Sequence, residues 1–243
     1  MKVGILGDIH ANLEALNTCL TRLVKKEGCD YVMATGDVVG YGPQPKECIE
    51  RLMELDIRSV RGNHDEYVTQ AATQLSINPL ARYVIDWTRN ELEDVHMNFL
   101  KRLPDILDVE NFSITHASNS PTPQWDYVLE SNSAKANFEH QVKPLCFNGH
   151  THLPMVISED PHGKIGMNYF EKSVLEHGVK YLINAGSVGQ PRDGNPHTGC
   201  LTYDTETREV KALRFKYNFQ KVQKLMRQLA FPEQLSQRLE IGR

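Results

Sequence analysis

The spacing of apolar residues in the first quarter of the chain predicts alternating strands and helices. Short apolar runs at residues 2–7, 31–35 and 57–60 predict buried strands. Between these runs, apolar residues recur three and four positions apart, as they do on one face of a helix. The helical positions are Leu13, Leu16, Leu20, Leu23 and Val24 after the capping residue Asn12, then Ile49, Leu52, Met53 and Leu55 after Pro45. A strand–helix–strand–helix–strand opening predicts a parallel sheet buried between layers.

The rest of the chain continues the same α/β pattern. Residues 66–103 have helical periodicity, with Pro79 as a helix start, and residues 118–124 lack periodicity and contain two prolines, which predicts a loop. Strands are expected at Ile106–Val109, Phe112–Thr115, Leu145–Asn148, 155–157 and 181–184, a hairpin at 199–203 and 210–215, and a closing helix around Val222, Leu225, Met226 and Leu229. Since no repeat or linker is evident, we expect one α/β domain over residues 1–243.

Composition and charge narrow the classes of function. Of the 243 residues, 40% are hydrophobic and 24% are charged, as in a globular protein with a sizeable core. The net charge of −4 argues against bulk nucleic acid or an anionic membrane surface as the main partner, since both favour a basic excess. We find no apolar stretch long enough to span a membrane, and Asp8 interrupts the first apolar run too early for a signal peptide.

The cysteines predict a reducing environment. Their number is odd, they are scattered along the chain, and no two form a CxxC pair. This arrangement argues against a disulfide framework or a zinc knuckle. Free buried thiols are typical of cytoplasmic proteins, so we expect a cytoplasmic location.

Residue types that bind metals follow five of the predicted strands. The carboxyl ends of strands are where open α/β sheets bind their ligands. The candidate ligands are Asp8 and His10 after the first strand, Asp37 after the second, Asn63 after the third, His116 after residues 112–115, and His150 and His152 after residues 145–148. Within the pairs Asp8/His10 and His150/His152, alternate residues of an extended segment would point the same way and could converge.

Each of these positions alone has an ordinary structural explanation. A strand-end aspartate often caps a helix, and the sequences GNHD and GHTH contain turn-forming residues. Several independent turns with metal ligands at the same end of successive strands make the accidental explanation weak. Imidazole and carboxylate suit Mn, Fe, Zn or Ni, and two such ions about 3.5–4 Å apart form a clamp for phosphoryl chemistry. If one carboxylate bridges the pair, each ion receives four protein groups.

The ordered motifs GDIH, GD, GNHD, THAS and GHTH span Asp8 to His152, and NAGSVGQPRDG follows at residues 184–194. In this order they resemble the calcineurin-like metallophosphoesterase superfamily. The resemblance implies a fold of two packed β-sheets flanked by helices. It also implies two metal ions that share Asp37, with Asp8, His10, Asp37 and His152 on one ion and Asp37, Asn63, His116 and His150 on the other.

The resemblance also suggests residues that meet the substrate. His64 matches the family's histidine that contacts the scissile phosphate and helps the leaving group depart. The protein serine/threonine phosphatase branch carries Asp-Arg-Gly after its second motif, whereas residues 39–43 here read VGYGP and lack that phosphate-clamping arginine. The chain is therefore more similar to the small bacterial and archaeal phosphodiesterases and nucleotide hydrolases. Asn12, Tyr41 and Arg192 are then candidate substrate contacts, with a helix cap, a packing aromatic and a solvated arginine as the structural alternatives.

Three functions remain open at this point. The first is a dinuclear-metal-dependent hydrolase of phosphodiesters or nucleotide phosphoanhydrides, in which a hydroxide that bridges the ions attacks phosphorus. The second is a phosphomonoesterase or protein phosphatase, and the third is a non-catalytic scaffold on the same fold. For the first function we expect a small phosphorylated substrate, such as a nucleotide, and two divalent ions, with manganese preferred over Fe, Ni, Zn or Mg.

Overall fold

A computed structural model describes residues 1–70, 77–120 and 125–243 of the chain. Its strands are β1 (Lys2–Leu6), β2 (Tyr31–Ala34), β3 (Arg58–Ser59), β4 (Ile106–Val109), β5 (Phe112–Thr115), β6 (Leu145–Asn148), β7 (Met155–Glu159), β8 (Ile165–Tyr169), β9 (Lys172–Val174), β10 (Lys180–Asn184), β11 (Thr198–Asp204) and β12 (Glu209–Phe215). Its helices are α1 (Leu13–Lys25), α2 (Pro45–Glu54), α3 (Asn63–Thr69), α4 (Pro79–Glu91), α5 (Asp94–Lys101), α6 (Ser131–His140), α7 (Phe219–Gln228) and α8 (Glu233–Ile241).

These strands form two mixed sheets of six strands each. The first sheet has the order β3-β2-β1-β11-β12-β9 and the second has the order β4-β5-β6-β10-β7-β8. Strands β1, β2 and β3 run parallel, which confirms the parallel pairing predicted from the opening pattern. In the second sheet β5, β6 and β10 also run parallel. Each sheet therefore collects the carboxyl ends of three parallel strands at one end.

The two sheets pack face to face around a shared apolar core. Val3 and Ile5 of the first sheet pack with Phe112, Phe147 and Ile183 of the second, and each of these side chains is at most 1% exposed. Fully burying one such side chain stabilises the fold by about 1.5–3 kcal/mol. The predicted pair of packed sheets is thus confirmed.

Helices cover the outer face of each sheet. Because successive residues of a strand alternate between faces, Leu6 of β1 points away from the shared core and packs with Leu16 of α1 and Ile49 of α2. On the opposite side of the molecule, Phe138 of α6 packs against Leu182 of β10. The four layers are therefore helices, sheet, sheet and helix, as the resemblance implies.

The C-terminal helices α7 and α8 pack beside the loop that follows β2. Val222 and Met226 of α7 form an apolar cluster with Leu235 and Leu239 of α8, and α4 also contributes to it. The partly buried Tyr41 packs against this cluster. The end of the chain is thereby held next to the second of the sequence motifs.

Four elements of the structure were not predicted from the sequence: α6, α8, β8 and β9. Helix α6 buries three residues and α8 also buries three, so neither has the long apolar stripe that reveals a helix in sequence. Strand β3 has two residues instead of the four predicted. Helices α3, α4 and α5 account for the helical region predicted at 66–103, and parts of that region and of the predicted loop, residues 71–76 and 121–124, lie outside the described residues.

The sequence also predicted free cysteines and no membrane-spanning segment. All five cysteines are buried and free, as expected from their number and spacing. No helix in the described part of the chain combines the length and the apolar character that crossing a bilayer requires.

Candidate metal centre

The loops that follow the parallel strands of both sheets meet at one buried place. The amide of His10 donates a hydrogen bond to the carbonyl oxygen of Asp37 at 2.8 Å, which ties the first motif to the second. The amide of His150 donates to Oδ1 of Asp8 at 2.9 Å, which ties the second sheet to the first. Hydrogen bonds from backbone amides therefore fix the loops to one another, in one case through the carboxylate of Asp8.

The structure brings the seven candidate ligands together in two adjoining groups, which we call the ligand cluster. In each group the ligand atoms lie within 4.8 Å of one another; the first consists of Asp8, His10, Asp37 and His152, and the second of Asp37, His116 and His150. Asn63 joins the second group, because its Oδ1 lies 3.1 Å from Nε2 of His116. Each of the seven side chains is at most 8% exposed. Asp37 belongs to both groups.

The contact between His10 and His152 shows that the first group fits a cation. Nδ1 of His10 donates to the carbonyl oxygen of Val39 at 3.1 Å, and Nδ1 of His152 donates to that of Gln190 at 2.5 Å. Burial lowers the pKa of both imidazoles well below the usual value, so both rings are neutral. Their Nε2 atoms then carry lone pairs and face each other at 3.0 Å. This contact is repulsive unless both nitrogens bind a cation, and a backbone carbonyl is the usual second partner of a metal-binding histidine.

The second group is built in the same way. Nδ1 of His116 donates to the carbonyl oxygen of Thr35 at 2.7 Å, and Nε2 of His150 donates to that of Trp125 at 2.8 Å. The opposite ring nitrogen of each histidine is left for a ligand. Oδ2 of Asp37 lies 3.5 Å from Nε2 of His116 and also 3.5 Å from Nε2 of His10 in the first group. Two carboxylates, four imidazoles and one amide oxygen together form a donor set that fits divalent ions of borderline hardness.

The two buried carboxylates have opposite pKa shifts. Burial raises the pKa of Asp8 to about 7, and the negative charge of Asp37 contributes to this rise. Burial also acts to raise the pKa of Asp37, but electrostatic attraction to the neighbouring histidines, chiefly the charge and hydrogen bond of His116, outweighs it and holds that pKa well below its usual range. Burial acts to lower the pKa of His116, yet Asp37 raises it to about 9. Asp37 is therefore the firmly anionic carboxylate of the cluster.

The backbone turns sharply at the ligands themselves. Asp8, His10, Asp37, His150 and His152 have φ angles from 44° to 68°, in the left-handed region that residues other than glycine seldom adopt. The prediction that Asp8/His10 and His150/His152 lie in extended segments is therefore wrong, although each pair does converge. Convergence comes from left-handed turns, whose strain of about 1–3 kcal/mol per residue is a feature of functional sites.

Two glycines allow the loops to approach the cluster closely. A Cβ atom at Gly62 would overlap the carboxylate and the backbone nitrogen of Asp37, and one at Gly40 would overlap the imidazole of His64. Gly40 also has a φ of +93°, which side chains of L residues disfavour. Glycine at these two positions therefore sets how near Asp37 and His64 lie to the neighbouring loops.

His64 lies against both ligand groups without belonging to either. Its backbone amide donates to Oδ1 of Asp37 at 2.9 Å, and its ring centroid lies 4.9 Å from that of His10. The side chain is buried, and its Nδ1 has no hydrogen-bond partner among the residues that the structure describes. A buried imidazole with an unused nitrogen beside the ligand cluster is placed to interact with a bound substrate.

Tyr41 and Arg192 lie at the edge of the ligand cluster. The ring centroid of Tyr41 lies 4.7 Å from that of His10 and 4.5 Å from that of His64. The guanidinium carbon of Arg192 lies 5.7 Å from the Tyr41 ring centroid, in a cation–π arrangement. Burial raises the pKa of the Tyr41 phenol, so this residue presents a neutral hydroxyl.

Asn12, the third candidate for substrate contact, caps helix α1 in the structure. It is 1% exposed, and its Oδ1 accepts a hydrogen bond from the amide of Ala15 at the start of α1. Its Nδ2 donates to the carbonyl oxygen of Gly189 and to the hydroxyl of Tyr217. These bonds show that Asn12 ties together the loops on which the first motif and Gly189 lie.

Three residues at the site were absent from the candidates drawn from sequence. Asp65 accepts hydrogen bonds from two loop amides, one of them that of Val39 at 3.1 Å. The carbonyl of Trp125 orients His150, and the half-exposed ring of Tyr127 stacks on His150 with a centroid distance of 4.3 Å. Asp65 could have been found from its place in the GNHD motif. Trp125 and Tyr127 could have been found because two aromatic residues lie close together just after a stretch without periodicity.

Comparison with known proteins gives matches over most or all of the chain. The sequence model of the calcineurin-like phosphoesterase superfamily domain matches residues 1–208. The solved structure of a metallophosphoesterase from Sphaerobacter thermophilus is 35% identical, with a TM-score of 0.87 and 100% of both chains covered.

Two relatives by sequence differ in how much of the chain they match. An uncharacterized protein of Methanocaldococcus jannaschii is 33% identical over 246 residues, which cover 99% of this chain and 98% of that protein. The symmetrical bis(5'-nucleosyl)-tetraphosphatase of Baumannia cicadellinicola is 32% identical over 130 residues, which cover 52% of this chain and 44% of that protein. The chain therefore matches less than half the length of the tetraphosphatase.

Proposed function

This chain belongs to the calcineurin-like phosphoesterase superfamily and is a metal-dependent phosphoesterase, and from that premise we propose that it hydrolyses phosphodiesters or nucleotide phosphoanhydrides at a dinuclear metal centre. The observation that carries the proposal is that Asp37 belongs to both ligand groups. A carboxylate held firmly anionic between two sets of ligands is suited to bridge two cations.

The ligand cluster would hold one ion on each side of Asp37. Asp8, His10 and His152 complete the first set of ligands, and Asn63, His116 and His150 complete the second. Two ions bound there would supply a water activated near neutral pH and positive charge for the phosphoryl oxygens. We propose manganese as the preferred metal, with Fe, Ni, Zn or Mg as substitutes; Mn, Fe, Ni and Zn all accept this set of imidazole and carboxylate ligands.

His64 would act on the substrate instead of on the metals. Its ring lies beside the ligand cluster, and its Nδ1 is unpartnered among the described residues. We propose that it contacts the scissile phosphate and protonates or stabilises the leaving oxygen, a role that typically accounts for about 10²–10⁴-fold in rate. The anionic Asp37 anchors the His64 backbone amide, which fixes the imidazole relative to the metals.

Tyr41 and Arg192 are our proposed substrate contacts. Both lie at the edge of the ligand cluster, and the Arg192 guanidinium is held over the Tyr41 ring. A positive charge there suits a small phosphorylated substrate, and the likeness to bis(5'-nucleosyl)-tetraphosphatases supports a nucleotide. The net charge of −4 gives no support for binding of bulk nucleic acid.

We also propose that the protein works in the cytoplasm as a single domain of 243 residues. Five free and buried thiols support the reducing location. Packing of the C-terminal helices against Tyr41 supports one cooperative unit, because the last elements of the chain share a core with the second motif.

Hydrolysis of bis(p-nitrophenyl) phosphate tests the proposal. We expect purified protein to lose activity after chelation and to recover it with Mn, Fe, Ni, Zn or Mg. The monoester p-nitrophenyl phosphate should be hydrolysed more slowly, and a preference for it would favour the phosphomonoesterase alternative. Failure of every metal to restore activity on either ester would contradict a dinuclear phosphodiesterase.

A further inference from the structure

A small cavity with three arginines adjoins the ligand cluster. It has a volume of about 270 Å³, and its polar lining consists of Tyr41, Asn78, Arg192, Arg238 and Arg243, with two apolar residues of α4 beside them. Among the residues that the structure describes, no aspartate or glutamate lines it. We call this cavity the arginine pocket.

The arginine pocket and the ligand cluster share one wall. The ring of Tyr41 lines the pocket, and the same ring lies within 4.7 Å, centroid to centroid, of the imidazoles of His10 and His64. Arg192 is held over that ring and donates a hydrogen bond to Oε1 of Gln190 at 3.2 Å. A ligand bound at the cluster would therefore meet the pocket on the far side of Tyr41.

The charges in the arginine pocket are not neutralised by the protein. Across the described ranges, 1–70, 77–120 and 125–243, the guanidinium groups of Arg192, Arg238 and Arg243 form no ion pair with a carboxylate. Arg192 and Arg243 also line a larger cavity that contains Glu171 and Asp193, and in that cavity Asp193 pairs with Arg214. Three guanidinium groups without a carboxylate partner around one small cavity form a site suited to an anionic ligand.

The fold holds the C-terminal arginines in place. Leu235 and Leu239 anchor α8 in the apolar cluster that includes Tyr41. At the end of α8, Gly242 has a φ of +66°, and its carbonyl accepts a hydrogen bond from the amide of Gly194 at 2.9 Å. This bond joins the end of the chain to the loop that carries Arg192. Arg238 and Arg243 therefore face Arg192 because α8 is docked at both ends.

We propose that the arginine pocket binds the non-scissile phosphates of the substrate and thereby selects nucleotides with a phosphoanhydride chain over simple phosphodiesters. This inference rests on the proposed hydrolase function. One phosphate would lie at the ligand cluster and the next ones beyond Tyr41, where guanidinium groups bind phosphate oxygens in pairs. Arg238 and Arg243 lie in residues 209–243, beyond the matched family domain at residues 1–208.

Binding of inorganic pyrophosphate to metal-free protein in EDTA tests the pocket without catalysis. We expect calorimetry to detect binding by the wild type and affinity about tenfold or more lower for Arg238→Gln, since a hydrogen bond to a charged group contributes about 1.5–3 kcal/mol. Arg238→Lys, which keeps the charge, should have intermediate affinity. The matched control is Arg227→Gln on α7, whose exposed guanidinium pairs with Glu233. No binding by the wild type, or equal binding by Arg238→Gln, would overturn the proposal.

Activity separates this inference from the proposed function. With Mn-loaded protein, the ratio of kcat/KM for diadenosine tetraphosphate to that for bis(p-nitrophenyl) phosphate should fall about tenfold in Arg238→Gln, mainly through KM. An equal fall on both substrates would point to a general structural defect and contradict the pocket. If the wild type hydrolyses neither substrate with any metal, the proposed function fails, while the pyrophosphate experiment still decides the pocket.

Discussion

The ligand cluster and the arginine pocket are neighbours, yet they are built in different ways. The seven side chains of the cluster are at most 8% exposed, and hydrogen bonds to backbone carbonyls orient their imidazoles. The arginines of the pocket are partly or fully exposed and extend from a loop and from the end of α8. The cluster is thus rigid and pre-organised, whereas the pocket depends on the docking of a helix.

This difference assigns the two regions different tasks. A buried cluster of fixed donors suits chemistry, because transition-state charge is stabilised best by groups that need no reorganisation. A solvent-facing set of cations on a separate helix suits substrate choice, since such an element can change without disturbing the metals. Substitutions in the two regions test whether the ligand cluster carries the chemistry and the arginine pocket the choice of substrate.

Replacement of Asp37 should damage the cluster most. Asp37→Asn keeps the shape of the side chain and tolerates the left-handed backbone, but it removes the negative charge shared by the two ligand groups. We expect loss of at least one ion per chain and a fall in activity of about 10³-fold or more, since the metals supply several kcal/mol to the transition state. Elemental analysis and kcat measure both effects. Asp105→Asn, at an exposed carboxylate that pairs with Arg61, is the control, and full metal content in Asp37→Asn would contradict the bridging role.

Replacement of His64 should slow the chemistry and spare the metals. In His64→Gln the backbone amide still donates to Asp37, so two ions per chain should remain. The rate should fall about 10²–10⁴-fold for a poor leaving group, and less for p-nitrophenolate, which needs little protonation. Loss of metal from this variant, or an equal effect on both leaving groups, would remove His64 from its proposed role.

Gly40→Ala should displace His64 without touching a ligand. The added Cβ would overlap the His64 imidazole, and a displacement of about 1 Å can cost about 10²-fold in rate. The metal content should stay at the wild-type level. Gly178→Ala is the matched control, because Gly178 has a similar φ of +81° and an added methyl group there would have no neighbour within 4 Å among the described residues. Equal kcat in the two variants would show that the approach of Gly40 to His64 is unimportant.

Replacement of Arg192 should have the smallest effect on activity, because Arg192 lines the arginine pocket. Arg192→Gln should raise KM for a nucleotide substrate about tenfold and change kcat little, as expected for uniform binding. Steady-state kinetics with diadenosine tetraphosphate measure both constants, with Arg227→Gln as the control. A fall in kcat at unchanged KM would place Arg192 with the chemistry and erase the distinction between the two regions.

The cluster could be predicted from sequence and the pocket could not, for a physical reason. Each ligand follows a strand within a few residues, so a local pattern such as GDIH or GHTH locates it, and parallel pairing brings the strand ends together. The left-handed turns at Asp8 and His150 were not predicted, because the alternation of side chains along an extended strand would also bring the two ligand pairs together. The helix cap that the sequence offered for Asn12 is present in the structure, whereas its contact with a substrate stays a prediction.

Arg238 depends on contacts that no local pattern contains. Helix α8 has a short apolar face, formed mainly by Leu235 and Leu239, so its existence and its docking follow from tertiary packing against α7 and Tyr41. The same argument applies to α6, which is largely polar and covers the second sheet through Phe138. Helices with weak amphipathic patterns therefore could not be predicted from the sequence, and neither could the arginine pocket, which depends on α8.

The central claim is that Asp37 joins two metal sites into one catalytic centre. Titration of metal-free protein with Mn²⁺, with bound metal counted and activity on bis(p-nitrophenyl) phosphate measured at each step, tests it most directly. We expect saturation at two ions per chain, with full activity reached when both are bound. Full activity at one ion per chain, or saturation at one ion, would contradict it.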